Sequence, residues 1–265
     1  MEDALILDEN LADMLVRGRP IREMRSRFDE IYDTCIVGVG FAESDEYYKL
    51  DKERYWRSLV LLCQLGIPNP ARLLEIGGGQ IALLFKKLFN DDCVVADLSE
   101  RYISPIRKEG LRFFQYNLLN PRSCGHQEEF DIVVLLEVVE HIPVPAHVVF
   151  DRIKRFMQPN GILFLTTPNL FRIRNLVRMF FGVEFLDHFD IPDSDRGMGH
   201  QLEYSAAHLR WQLERAGMQI IMLKHDELGR VGHSFKARLG RALSAPLQLR
   251  PLWRDGLVAA ARKNF

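Results

Sequence analysis

Glu137, Glu140 and His141 follow directly on Ile132-Val133-Val134-Leu135-Leu136, a run without a polar side chain. Two carboxylates and an imidazole within five positions can do two kinds of chemistry. They can take a proton from a hydroxyl, with His141 or Glu140 as the base. They can also hold a divalent ion, because carboxylate oxygens and a His nitrogen suit Mg²⁺, Mn²⁺, Fe²⁺ or Zn²⁺ without choosing among them. His200, in GHQLEYSAAHL, offers such an ion a fourth ligand. If the chain turns helically at once, positions 137, 140 and 141 share a face. A third alternative involves no chemistry: Glu137 meets a ligand only through its backbone, and His141 caps the next turn.

A second cluster lies upstream. Glu75-Ile76-Gly77-Gly78-Gly79-Gln80-Ile81-Ala82 leads from an apolar strand through a glycine turn into an apolar helix. That arrangement brings backbone amides to a ligand at a helix N-terminus. Asp97 comes 20 residues after Gly77, at the end of the next strand, where a carboxylate accepts both hydroxyls of a ribose. Glycines and acid together point to an adenosine-bearing cofactor. The stretch also satisfies the G-x-G-x-x-A form of a dinucleotide turn, but Glu75 would repel a pyrophosphate. The same carboxylate suits a ligand with an ammonium and a sulfonium, which is S-adenosylmethionine.

From Ala71 onward the chain alternates strand and helix signals. Strands are predicted at 71–76, 93–97, 111–116, 131–136, 161–167, 218–225 and 256–263. Helices are predicted at 80–89, 100–109, 145–157, 170–181 and 205–216, the last stopped by Gly217. This order implies βαβ units and a mostly parallel sheet with helices on both faces, its apolar strands buried on both sides. The last two strands are expected to form an antiparallel hairpin with an enlarged basic loop. Before Ala71 the chain reads as helical, with apolar spacing in Leu5–Val16 and Tyr55–Leu65 around the loop TCIVGVGFAESD. The expected organisation is an N-terminal helical cap over residues 1–66 and a cofactor domain over 67–265. Acceptor-side insertions fall at about 183–204 and 228–253. Asn169, after Pro168, is expected to cap the helix that follows. In that helix LFRIRNLVRMFF sets Arg172, Arg174 and Arg178 among large apolar residues. It reads either as a core-packed helix with arginines toward the substrate entrance or as a membrane-surface helix.

LLEIGGGQ, Asp97, FDIVVLLEVVEHI, PNGILFLTTPN and HLRWQLERAGM resemble the successive motifs of class I S-adenosylmethionine-dependent methyltransferases, over roughly residues 45–225. The resemblance is nearest to the branch with ubiquinone-biosynthesis O-methyltransferases and bacterial sugar and natural-product methyltransferases. It implies a Rossmann-like α/β fold, a seven-stranded sheet with the last strand antiparallel. By motif, Glu75, Gly77 and Gly79 would line the methionine part of the cofactor, Asp97 would hold the ribose and Asn117 would sit near the adenine. Gly78, Leu98, Leu118 and Glu137 complete the expected cofactor-binding set. The family's third glycine is Ile81 here. The ExxEH stretch with His200 is also similar to metal-dependent small-RNA 3′-terminal 2′-O-methyltransferases, whose two Glu and two His hold a divalent ion.

The expected function is methyl transfer to a hydroxyl of a small molecule or saccharide, anionic or lipid-linked acceptors included. Alternatives are methylation of an RNA 3′ end and a non-catalytic, cofactor-binding regulator, which only Ile81 favours. Nucleic acid is disfavoured because no RNA-binding module or strongly basic domain is present. Net charge is −1, but residues 1–70 carry 14 acidic and 9 basic side chains and residues 224–265 carry 9 basic and 3 acidic. The basic end, Arg238 and Arg241 included, meets an anionic acceptor or balances the acidic start. Four cysteines without CxxC spacing, no signal-peptide pattern and no membrane-length apolar run fit a cytoplasmic protein. Oligomeric state is not legible.

Overall fold

Parallel strands covered on both faces need apolar side chains in both directions, and the central strands here supply them. The structure, a computed structural model, describes residues 15–41, 43–100, 103–120, 129–186, 188, 199–228 and 249–264. In chain order its elements are β1 (Leu15–Val16), β2 (Arg19–Pro20), α1 (Ile21–Cys35), α2 (Asp45–Cys63), β3 (Arg72–Ile76), α3 (Gln80–Phe89), β4 (Asp92–Asp97) and α4 (Ile103–Lys108). There follow β5 (Arg112–Gln115), β6 (Phe130–Leu136), α5 (Ala146–Ile153), β7 (Met157–Pro168), α6 (Ile173–Phe180), α7 (Ala206–Arg215), β8 (Met218–Asp226) and β9 (Gly256–Lys263).

Strands β3 to β9 form one sheet in the order β5-β4-β3-β6-β7-β9-β8. All neighbours are parallel except β9, which is antiparallel to β7 and β8. This is the Rossmann-like seven-stranded arrangement, including the antiparallel last strand and the β8–β9 pairing. Strand alternation sends Ile132 and Val134 into a core shared with α1, α2 and α3. Val133 and Leu135 enter the opposite core with α5 and α7. Burying each such side chain fully contributes about 1.5–3 kcal/mol. The chain runs β3-β4-β5 toward one edge and then returns to place β6 on the other side of β3. The switch therefore lies between β3 and β6, and ligands of open α/β sheets bind outside the carboxyl ends at that point.

The differences from expectation are local. The helix expected over Leu5–Val16 lies mostly outside the described residues, and its end is a strand instead. Arg17 and Gly18 take positive φ of 49° and 79° and reverse the chain, so that Leu15 faces Pro20. Strand β7 begins at Met157, four residues early, because α5 stops at Ile153 and a 3₁₀ turn over Lys154–Phe156 follows. Gly217 does take positive φ, 67°, at the end of α7. Asn169 does not cap α6, which Arg172 precedes. Its Oδ1 accepts from Phe171 N, and its Nδ2 donates to the carbonyls of Leu252 and Arg254, tying the β9 side of the chain to β7. Most of the 228–253 insertion, with Arg238 and Arg241, and much of 183–204 lie outside the described residues, as does Cys124. Cys35, Cys63 and Cys93 are free thiols. No helix among the described residues is long and apolar enough to cross a membrane.

Candidate functional site

At the carboxyl end of β3 three glycines in succession take positive φ, 95° at Gly77, 79° at Gly78 and 96° at Gly79. Side chains rarely tolerate that geometry, so the turn needs glycine for its shape. It needs glycine for its surroundings as well. A Cβ on Gly77 would stand 2.7 Å from Val138 Cγ2, and one on Gly78 would strike the Gln80 amide. The turn is thus a bare backbone cradle pressed against the segment that carries Glu140 and His141.

Glu75 is buried, and its Oε2 accepts from Ala82 N at 2.6 Å, inside the first turn of α3. Burial pushes its carboxyl up to about 8 against the pull of the amides of Ala82, Ile81 and Gly79. A cation arriving beside it would ionise it, which is what a carboxylate at an ammonium-binding site requires. Asp97 knits the loop together: Oδ2 accepts from Gly78 N at 3.1 Å and Oδ1 from Ser99 N at 2.7 Å. Burial raises its carboxyl, and the amides of Ser99 and Gly78 oppose the rise. Gln115 Nε2 donates to the Leu98 carbonyl, and Leu118 is buried beside Tyr116. Asn117 Oδ1 accepts from Leu119 N at 2.8 Å and Asn120 N at 3.4 Å, closing an Asx turn. Its Nδ2 donor is therefore the group it can offer an adenine ring. Ile81 is fully buried in the core under α3, so the side chain standing where the family has glycine packs into the protein.

The second cluster departs from the single helical face expected for it. Glu137 has φ of 54°, a left-handed value uncommon outside glycine, and a 3₁₀ turn over Val139–His141 follows. The reversal separates Glu137 from the other two. Its Oε1 accepts from Thr166 Oγ1 at 2.8 Å, and its Oε2 lies 4.0 Å from the Arg54 guanidinium. Glu140 goes inward and is completely buried. Its Oε2 accepts from Thr167 Oγ1 at 3.1 Å, while its Oε1 has no hydrogen-bond partner. Burial, with Glu137 nearby, holds this carboxyl well above the usual range.

His141 Nδ1 lies 3.2 Å from the Gly199 carbonyl, which can only accept. Nδ1 is therefore the donor in that contact, and Nε2 lies 3.9 Å from Glu140 Oε1. The amides of Gln201 and Leu202 donate to the Glu140 carbonyl, which brings His200 over His141 with ring centroids 4.8 Å apart. Glu140, His141 and His200 each offer one ligand atom, all within 4.8 Å of one another. Of the four expected metal ligands the structure gathers three, and Glu137 stays outside with Thr166 and Arg54.

Sequence reasoning gave no role to Arg54, Tyr47 or the threonines of β7. Arg54 projects from α2, buried between the Tyr47 and Tyr55 rings, and donates to Tyr47 Oη at 2.8 Å. The same helix reaches the glycine loop, where Gln80 Nε2 donates to Tyr48 Oη at 3.2 Å. Arg, Tyr and Asp at helical spacing in DEYYKLDKERYWR were the available signal, visible only once α2 is known to cover the sheet's carboxyl edge.

A family model described as a methyltransferase domain matches residues 48–223, about two thirds of the chain. The chain belongs to the methyltransferase-domain family. The ubiquinone biosynthesis O-methyltransferase of Haemophilus ducreyi is 35% identical over 68 residues, 26% of this chain and 28% of that enzyme. The one from Thiobacillus denitrificans is 35% identical over 78 residues, 28% of this chain and 33% of that enzyme. The match spans a third or less of these curated relatives. An S-adenosylmethionine-dependent methyltransferase from Mesorhizobium loti has the same fold, with a TM-score of 0.54 at 16% identity over 81% of this chain and 100% of that one.

In the methyltransferase, Asp97 is expected to hold the cofactor's ribose. Asp97→Ala leaves two hydroxyls without a charged acceptor, a loss of roughly 1.5–3 kcal/mol. Calorimetric titration with S-adenosylmethionine should show affinity weakened about tenfold or more. Unchanged affinity would remove Asp97 from the site.

Proposed function

We propose that the methyltransferase acts on a hydroxyl oxygen of a small molecule or saccharide, with His141 as the base and Glu140 supporting it. The observation that carries this reading is the placing of His141 Nε2 3.9 Å from Glu140 Oε1, a fully buried carboxylate oxygen without a hydrogen-bond partner. A neutral amine attacks a methyl group without prior deprotonation, whereas a hydroxyl gains from losing its proton during attack. A base placed beside the cofactor loop therefore favours oxygen. The names of the relatives from ubiquinone biosynthesis agree with that choice.

The glycine cradle, Glu75 and Asp97 fit S-adenosylmethionine: bare backbone at the turn, a buried acid for the ammonium and a second acid for the ribose. The bound cofactor supplies a sulfonium methyl for in-line displacement, leaving S-adenosylhomocysteine. The protein's part is to align the acceptor oxygen and take its proton on His141 Nε2. Gly199 holds the ring in the required tautomer. A carboxylate at Glu140 would balance the positive charge that the imidazole gains with the acceptor's proton. Leu202, half-exposed next to the cluster, and the α2 face around Arg54 would border the acceptor. Arg54 itself is buried against the carboxylates of Asp51 and Glu137, and an anionic or lipid-linked substrate remains within this reading. Assaying release of S-adenosylhomocysteine over a panel of phenols, sugars, amines and thiols tests it. Turnover confined to amines or thiols would overturn the choice of oxygen.

A second reading has its own observation, the three ligand atoms of Glu140, His141 and His200 around an orphaned carboxylate oxygen. These residues fit a divalent ion, which would make a bound hydroxyl easier to ionise. If they hold one, elemental analysis of protein purified without chelator should find about one equivalent of metal, and His200→Ala should lose it together with activity. If His141 acts alone, exhaustive EDTA treatment leaves activity intact and His200→Ala is mild.

A further inference from the structure

Glu137 has a left-handed φ of 54°, and a residue other than glycine keeps such a conformation only where its surroundings over-determine it. Contacts from two elements do so here. From β7, the Thr166 carbonyl accepts from Glu137 N at 3.1 Å, and Thr166 Oγ1 donates to Glu137 Oε1 at 2.8 Å. From α2, the Arg54 guanidinium stands 4.0 Å from Glu137 Oε2. The two side chains are only 9% and 19% exposed, so the pair is largely shielded from water and little screened.

Arg54 is fixed from other sides as well. It donates to Tyr47 Oη at 2.8 Å, packs against the Tyr47 and Tyr55 rings and stands 3.5 Å from Asp51 Oδ2. Its place on α2 is thus set without Glu137, which makes Arg54 the anchor and Glu137 the residue that is held. The residues after Glu137 take their direction from it. Val138 presses on Gly77 of the glycine loop, and the 3₁₀ turn over Val139–His141 follows at once. That turn sends Glu140 into the protein and leaves His141 beside the Gly199 carbonyl. The contact of α2 with the glycine loop is a separate one, made by Tyr48 with Gln80.

We propose that Arg54 is a positioning residue for methyl transfer: its charge holds Glu137 in the left-handed turn that sets Glu140 and His141 in place. The effect on turnover passes through His141, so the inference rests on the reading of that residue as the base. It assigns Arg54 no part in holding the cofactor.

The test compares kcat, S-adenosylmethionine affinity and crystal structures of variants, with the hydroxyl acceptor that wild type turns over fastest. Arg54→Met removes the charge at similar length and should lower kcat about tenfold to 100-fold, as a misplaced catalytic group does. Its cofactor affinity should stay at the wild-type value, and Arg54→Lys should recover most of the lost kcat. Glu137→Gln leaves Arg54 with Asp51, so it should fold, and its kcat should fall in the same direction. Arg54→Met/Glu137→Gln should be no slower than the slower single variant, since both changes break one contact. In the Glu137→Gln and Arg54→Met crystals residue 137 should leave the left-handed region and His141 Nδ1 should move off the Gly199 carbonyl. An unchanged turn in both crystals, wild-type kcat in Glu137→Gln, or losses that multiply in the double variant would each overturn the proposal. Weakened cofactor affinity in Arg54→Met that matches its loss of turnover would overturn it too, and assign Arg54 to the cofactor. If His141→Ala keeps wild-type kcat, the base reading fails and this inference with it. If His141→Ala is slow and Glu137→Gln is not, this inference alone fails.

Discussion

His141→Ala should lower kcat by about 10²–10⁴-fold, the usual worth of a positioned base. S-adenosylmethionine affinity should stay within about twofold of wild type, because the proposed role of the ring is toward the acceptor and not the cofactor. Glu140→Gln keeps the volume and the Thr167 contact but removes the group that answers the imidazolium. Its kcat should fall by a smaller factor, with cofactor binding again unchanged. The two losses should not add, since both residues act on one proton. Stopped-time assays of S-adenosylhomocysteine with titrations of both variants check this. A His141→Ala enzyme with wild-type kcat would leave the cluster without a catalytic part.

Gly77→Val should nearly abolish cofactor binding. The residue has φ of 95°, and a Cβ there would stand 2.7 Å from Val138 Cγ2. Left-handed strain costs roughly 1–2 kcal/mol and overpacking typically another 1–3 kcal/mol. The turn can escape only by moving the amides that face the ligand, so affinity should fall about 100-fold or more. Gly217→Ala is the control. Its φ is 67°, but no atom lies within 4 Å of the added Cβ. That variant should lose stability by about 1–2 kcal/mol and bind cofactor normally. Equal cofactor affinity in Gly77→Val and wild type would show that the loop does not form the binding surface.

The sheet was readable because parallel strands buried on two faces must be apolar in both directions, and few other segments are. The glycine loop was readable because three successive residues of positive φ need bare backbone. What the pattern hid is equally physical. Nothing in LLEVVEHIP announces that Glu137 adopts a left-handed conformation, yet that single reversal takes it away from Glu140 and His141. Leu15 and Val16 read as the end of a helix because apolar spacing runs through Leu5–Val16, whereas Arg17 and Gly18 directly after them take positive φ and turn the chain. Asn169 has the chemistry of a helix cap, but its Oδ1 accepts from Phe171 N ahead of the helix, and its Nδ2 is held by two distant carbonyls. Arg54 was invisible for a different reason. A buried arginine becomes a site residue only through tertiary contact, and Glu137 lies more than eighty residues further along the chain.

The central claim is that His141, with Glu140, removes a proton from a hydroxyl beside the sulfonium methyl. An acceptor that has already lost its proton does not need that help. The decisive measurement is kcat/KM for wild type and His141→Ala over a series of phenols of similar shape and increasing acidity, at one pH. The account predicts a large deficit for the variant with weakly acidic phenols, shrinking steadily as the phenol ionises by itself. A deficit of the same size across the whole series would contradict it and reduce His141 to a structural residue.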